Sequence, residues 1–247
     1  YRVGGLELPF DMIAYALQTV KVYVNAFDDG DASGVAGFYL DDVSVQLCPP
    51  GPAPPLGCFA KLLAAPGVGD APHGVAVNST ANRIYVANHQ DNTLTTMNST
   101  TYGVIRTVAV GDGPNGVAYN PTNDSVYVAN RNDGTVSVLT ADGAAVTETI
   151  TVGSLPDGVA VNTDTNRIYV ANFGSDTVSV IDGASNTVVQ TPTVGSRPAM
   201  IAVNPLTNKA YVALNGGPGV AVIDGAGSVT QVDLYDSAGP YGIAVDV

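Results

Sequence analysis

The chain has 247 residues, with 9 Lys and Arg against 22 Asp and Glu, a net charge of −13 and no basic run; this excludes nucleic acid, whose phosphates call for a basic stripe, and disfavours an anionic membrane surface. Apolar residues make up 45% and aromatics 7%, enough for a sizeable core, and no stretch approaches the roughly 18 to 20 apolar residues of a membrane span, so a folded, soluble chain is expected. With 28 Gly and 16 Pro, turns should be many and long helices few.

Residues 1–48 form the first expected domain. TVKVYVN (19–25) alternates Val20, Val22 and Val24 with Lys21, Tyr23 and Asn25, the pattern of a half-buried strand. A polar hairpin, DDGDASG (28–34), leads into FYLDDVSVQLC (38–48). The pair resembles the last two strands of a jelly-roll β-sandwich of the kind that accompanies secreted bacterial carbohydrate-binding modules. The missing strands would lie upstream of Tyr1, and the start without Met or a signal-peptide pattern suits a piece of a longer protein. Period two places Tyr39, Asp41, Val43, Val45 and Leu47 on one face, where a carboxylate must be paired or bind a metal. The resemblance implies a structural calcium with Asp41 of LDDV as ligand and Asp28, Asp29 and Asp31 as partners, oxygen donors that suit this ion. A solvated acidic hairpin with Asp41 at a bulge accounts for the same residues.

CPPGPAPPLGC (48–58) marks the domain boundary, and residues 49–59 read as a stiff, proline-rich linker. Its two cysteines are the only ones in the chain, and their spacing does not suit a zinc site of paired CxxC motifs. In an oxidising compartment a Cys48–Cys58 disulfide would pin the connector into a loop; two unpaired thiols are the alternative.

Residues 60–247 are dominated by a repeat. VGDAPHGVAVN (68–78), VGDGPNGVAYN (110–120), VGSLPDGVAVN (152–162) and VGSRPAMIAVN (194–204) align without gaps, and Pro72, Pro114, Pro156, Pro198 and Pro240 are each 42 residues apart. Tyr85, Tyr127, Tyr169 and Tyr211 keep the same spacing. Within a unit, short β-branched runs are separated by turns of two to five residues, as in GVAVN (158–162), RIYVAN (167–172), TVSVID (177–182) and VVQTPTV (188–194). Four strands in 42 residues make one antiparallel β-propeller blade, so the expected fold is all-β, with four blades and the start of a fifth, SAGPYGIAVD. Ala76, Ala118, Ala160, Ala202 and Ala244 would suit the crowded axis, and Pro192 an outer edge strand. Asn78, Asn120, Asn162 and Asn204 are expected to close turns through their side chains.

TNRIYVANFGSDTVSVIDGASNTVV resembles the YVTN-type propeller repeat of surface-layer and other secreted proteins of archaea and bacteria, and GPYGIAVD drifts toward the NHL-type repeat. The resemblance covers roughly residues 68–247 and implies part of a seven-bladed ring at the prokaryotic cell surface or outside the cell.

For function, the sequence offers no CxxCH, GxSxG, HExxH or P-loop, and only two histidines, His73 and His89. It therefore reads as a non-enzyme without a cofactor in the propeller. A resemblance to streptogramin lyases would give His73 a metal-binding role completed by blades not present here; an ordinary surface histidine is the plainer reading. The positions after the repeated proline vary, as His73, Asn115, Asp157, Ala199 and Tyr241. So do the loops HQDN (89–92), RNDG (131–134), FGSD (173–176) and NGGP (215–218). Both sets are expected on one rim, where His73, Asn115, Asp157, Tyr241 and Phe173 form the candidate ligand-binding surface. Drift at exposed loops would produce the same variation. Asn78, Asn98 and Asn123 match the N-glycosylation pattern.

The expected role is adhesion, envelope assembly or display, with an envelope protein or glycan as partner and assembly into a larger complex. Alternatives are a propeller enzyme of the streptogramin-lyase or lactonase type, and a docking subunit of an extracellular complex.

Overall fold

A computed structural model describes residues 67–217, 219–234 and 239–246, together with the backbone of two short strands at 7–10 and 20–23. Contacts divide the chain into two units, Tyr1–Ala65 and Pro66–Val247. In the first unit, β1 (Glu7–Phe10) pairs antiparallel with β2 (Val20–Tyr23), in register Glu7 to Tyr23. The strand expected at 19–25 is thus present, and its partner is a segment that sequence patterning did not pick out. The hairpin with Asp28, Asp29 and Asp31, the segment carrying Asp41, the linker at 49–59 and both Cys48 and Cys58 lie outside the described residues.

The second unit contains four consecutive four-stranded antiparallel sheets and, among the described residues, no helix. The first blade is β3 (Pro72–Asn78), β4 (Arg83–Asn88), β5 (Thr93–Asn98) and β6 (Val104–Ala109). The second is β7 (Pro114–Asn120), β8 (Ser125–Asn130), β9 (Thr135–Thr140) and β10 (Val146–Thr151). The third is β11 (Pro156–Asn162), β12 (Arg167–Asn172), β13 (Thr177–Asp182) and β14 (Thr187–Gln190). The fourth is β15 (Pro198–Asn204), β16 (Lys209–Leu214), β17 (Gly219–Ile223) and β18 (Val229–Asp233). Strands follow chain order in every sheet, and the first strands contact one another in the series β3, β7, β11, β15. This is the propeller arrangement, with first strands innermost. Residues 239–246 begin a fifth unit and form no strand.

Blades are held face to face by apolar side chains. Tyr85, Ala87 and Leu94 of the first pack on Val117, Val126, Val128 and Leu139 of the second. Tyr127, Ala129 and Val136 repeat the contact with Ile168, Val170 and Ile181. β8 and β12 are covered on both faces, so their residues are buried almost without interruption, whereas the outermost β6, β10, β14 and β18 are mostly exposed. Tyr85 and Tyr127 also latch their blades to the next. The Tyr85 hydroxyl donates to the Ala141 carbonyl, and the Tyr127 hydroxyl to Asn186 Oδ1 at 2.7 Å while accepting from Asn123 Nδ2 at 2.7 Å. Burial pushes the pKa of Tyr85, Tyr127 and Tyr169 above the usual phenol value.

The repeated alanines also match the strand beside them. Ala76, Ala118, Ala160 and Ala202 sit directly across the ladder from Tyr85, Tyr127, Tyr169 and Tyr211, a small residue beside each large one. The tightest approach between inner strands is at glycine. A Cβ on Gly74, Gly116 or Gly158 would strike the backbone carbonyl of Asn115, Asp157 or Ala199 in the following blade. Pro192 lies just beyond β14, the outermost strand of its sheet, where its missing N–H interrupts no central ladder.

At one rim, turns join the first and second strands as expected from the repeated asparagines. Asn78 Oδ1 accepts from the Ala81 N–H at 3.0 Å, Asn120 from Thr122 at 3.0 Å, Asn162 from Asp164 at 3.1 Å and Asn204 from Thr207 at 3.0 Å. These turns then place Asn82, Asp124, Asn166 and Asn208 in the left-handed region, with φ of 51 to 52°. The other rim holds the candidate site.

Candidate functional site

Every inner strand enters through a bulge, with register shifts between Pro72 and Val75, Pro114 and Val117, Pro156 and Val159, and Pro198 and Ile201. The residue after the proline falls inside this irregularity and leaves the regular alternation, which re-aims its side chain toward its neighbours in adjacent blades. His73, Asn115, Asp157 and Ala199 therefore belong to strand starts, not to the connecting loops expected from the sequence.

Four of the five equivalent positions meet. His73 Nδ1 lies 2.7 Å from Asn115 Oδ1, the Asn115 amide donates to Asp157 Oδ1, and the Tyr241 hydroxyl donates to Asp157 Oδ2 at 3.2 Å. Because the Asn115 NH₂ faces the carboxylate, its oxygen faces the imidazole, and His73 donates through Nδ1. Asp157 is 0% exposed and Asn115 6%, while Tyr241 is 49% exposed. Burial pushes the Asp157 carboxyl above the ordinary carboxylate range, opposed by the Arg131 guanidinium beside it. Burial also raises the Tyr241 phenol, and the Asp157 charge adds to the effect. Ala199 is buried and carries no polar group into the chain.

The loops after the second strands reach the same place. His89 stacks on His73 with ring centroids 4.9 Å apart. Arg131 pairs with Asp157 Oδ2 at 3.1 Å, and its guanidinium lies 4.8 Å from the centroid of Phe173. The Arg197 guanidinium reaches 5.9 Å from the same ring. All five candidate rim residues, His73, Asn115, Asp157, Tyr241 and Phe173, are thus linked directly or through Arg131. Sequence reading singled out neither Arg131 nor Arg197; the signal available was that, of only 9 basic residues, Arg131 opens a variable loop and Arg197 stands directly before a repeated proline.

Beneath the rim lies a clamp that was also missed. Asn88, Asn130 and Asn172, the last residues of YVAN, are wholly buried. Asn130 Oδ1 accepts from the Gly111 N–H at 3.2 Å, and its NH₂ donates to Thr135 at 3.0 Å and Ser137 at 2.9 Å. Asn88 makes the same bonds to Gly69, Thr93 and Thr95, and Asn172 to Gly153, Thr177 and Ser179. The clamp fixes the segment that leads into each bulge, and so positions the rim. The three sequons face inward or into turns: Asn78 is buried, Asn98 accepts from the Thr100 and Thr101 N–H groups, and Asn123 donates to the Gly183 carbonyl at 2.6 Å. Among the described residues no group of three or more His, Cys, Asp or Glu is placed to hold a metal ion.

Residues 73–185 match the Choice-of-anchor I domain. No curated protein matches the chain. Among solved structures, it is similar to hydrazine synthase of Kuenenia stuttgartiensis, with TM-score 0.60 and 21% identity over 71% of this chain and 53% of that one. A streptogramin B lyase structure gives TM-score 0.60 and 14% identity over 69% and 57% of the two chains. Dihydro-heme d1 dehydrogenase NirN in complex with DHE gives 0.55 and 18% over 65% and 36%. The chain spans little more than half the length of the first two and about a third of the last. At these identities the likeness is one of fold, and the fold is a β-propeller.

Proposed function

We propose that this chain is a binding and structural protein of the prokaryotic cell surface or exterior, a YVTN-like propeller that recognises an envelope protein or glycan through the rim around His73, Asn115, Asp157, Phe173 and Tyr241. The observation that carries the reading is the convergence of residues that differ from blade to blade into one bonded cluster, on a scaffold that otherwise repeats. The choice-of-anchor match supports a surface or secreted address, and no helix among the described residues is long and apolar enough to cross a membrane. A non-catalytic role fits the way the buried polar groups engage one another: Asn115 and Asp157 are bonded on both sides and act as the frame that holds the more exposed His73, Phe173 and Tyr241.

Retention on isolated cell envelopes tests the reading. The combined His73→Ala, Phe173→Ala and Tyr241→Ala variant should lose retention while keeping a melting temperature near that of the parent. Unchanged retention would move the contact to the side of the disc and favour a docking subunit. Metal-dependent turnover of a lactone or cyclic peptide would overturn the non-enzyme reading.

A further inference from the structure

The rim is not electrically uniform. In the first two blades, carboxylates cap the segments below it: Asp91 accepts from the Asp70 N–H at 2.8 Å, and Asp133 from the Asp112 N–H at 2.7 Å. At the same repeat positions the third blade has Ser154 and Ser175, whose hydroxyl takes over the bond at 3.1 Å, and the fourth has Ser196 and Gly217. All four acidic positions of the first two blades are therefore neutral in the next two. Two guanidinium groups converge on this same sector, at 4.8 and 5.9 Å from the Phe173 ring, in a protein with only 9 basic residues and a net charge of −13.

The two arginines differ in their commitments. Arg131 is held over Phe173 by Asp157, a carboxylate with 0% side-chain exposure, so its position is fixed by the frame. Arg197 is exposed and has no ion pair with any described carboxylate; Asp176 accepts from its backbone N–H at 2.8 Å. Beside the ring, Leu155 is 39% exposed, and its carbonyl accepts from the Phe173 N–H at 3.1 Å. The sector thus combines an apolar step, a fixed cation, an available cation, the exposed residues Ser154 and Ser196, and one carboxylate, Asp176, that is engaged by the Arg197 backbone N–H.

We propose that the sector formed by Arg131, Leu155, Phe173 and Arg197 binds an acidic sugar, with the C–H face of a uronate ring on Leu155 and Phe173 and its carboxylate on Arg197. This inference rests on the rim being the recognition face and names the class of its ligand. A guanidinium recognises a carboxylate in two-point fashion, and an aromatic ring beside it receives the apolar face of a pyranose. The acidic rim of the first two blades repels the same ligand and confines it to this side.

The test is calorimetric titration of the full chain with trigalacturonate, its methyl ester and hexaglutamate. Trigalacturonate should bind, the neutral ester should not, and binding should weaken from 0.05 to about 0.5 M salt as exposed charges are screened. Arg197→Gln should lower affinity about 10- to 100-fold, the range of a charge-assisted hydrogen bond, with an unchanged melting temperature. Phe173→Leu should also weaken it. No binding by galacturonate, glucuronate or mannuronate oligomers, or full affinity in Arg197→Gln, would overturn the assignment, as would tighter binding of hexaglutamate, which would mark an acidic peptide instead. Envelope retention separates the two claims. If it still depends on the rim while no uronate binds, only the sugar assignment falls; if it never depended on the rim, the recognition face falls as well.

Discussion

The first three blades and the fourth solve one packing problem in opposite ways. In the first three, a buried asparagine links a glycine N–H to two hydroxyls on the neighbouring strand. In the fourth, Leu214 occupies the asparagine position and is buried, and the hydroxyl positions become Gly219 and Ala221. All three side-chain partners have been exchanged at once, while the glycine position is kept as Gly195. A buried donor left without its acceptor costs about 1 to 3 kcal/mol, whereas removing both partners together is close to neutral. The fourth blade also carries Met200 where the earlier ones have Gly74, Gly116 and Gly158, and its Tyr211 is only half-buried. Residues 239–246, which follow it, join no sheet.

The largest expected effect lies in the latch. Tyr127→Ala, and likewise Tyr169→Ala, should cost about 4 kcal/mol in urea unfolding, because each ring is buried between blades. Tyr211→Ala should cost less than half as much, and equal costs would show that burial between blades is not what distinguishes them. Next, Asn130→Leu should destabilise by about 3 kcal/mol through the orphaned Gly111 N–H and two hydroxyls, and Ser137→Ala alone by about 1. The double variant should cost less than their sum, as the fourth blade implies; strict additivity would reject a coupled set. Gly116→Ala should follow at about 2 kcal/mol, since the new methyl meets the Asp157 carbonyl, while Met200→Gly should be milder.

The smallest effect at neutral pH becomes visible on the alkaline side. Burial raises Tyr85, Tyr127 and Tyr169, and raises Tyr119 to about 12 with help from its bond to Asp124. The unfolded chain releases these protons near pH 10 and the folded one later, so stability is fully present below about pH 10 and is lost as the pH climbs toward 12. A Tyr127→Phe variant, weaker at neutral pH for want of its bond to Asn186, should show a shallower alkaline decline in thermal melts.

The period, the four-stranded unit and the turn asparagines were legible because each depends on neighbours close in sequence. Asn78 needs only Ala81, and a strand needs only its own alternation. The need for glycine at 74, 116 and 158 was not legible, because the colliding carbonyl belongs to the next blade. The clamp was hidden similarly: YVAN is visible as a motif, but that Asn130 binds Gly111 behind it and Ser137 ahead depends on how three segments meet. At the site, the spacing gathers the variable residues on one rim, and their side chains meet there. Their division into a buried frame and an exposed face was not foreseen, because the bulge that turns Asn115 and Asp157 inward leaves no mark beyond Pro-x-Gly.

The tyrosine latch also sets a schedule. Tyr85 finds its acceptor 56 residues later in the chain and Tyr127 finds one 59 residues later, each in the last hairpin of the following blade. A blade emerging from the ribosome thus has its own ladder of backbone hydrogen bonds but an unfinished face, with a tyrosine hydroxyl still in water. At about 5 to 20 residues per second, the wait for the closing hairpin is roughly 3 to 12 seconds. Throughout that interval the nascent chain presents a sticky surface whose intended cover has yet to be translated, and synthesis proceeds as a relay in which every blade is completed by its successor.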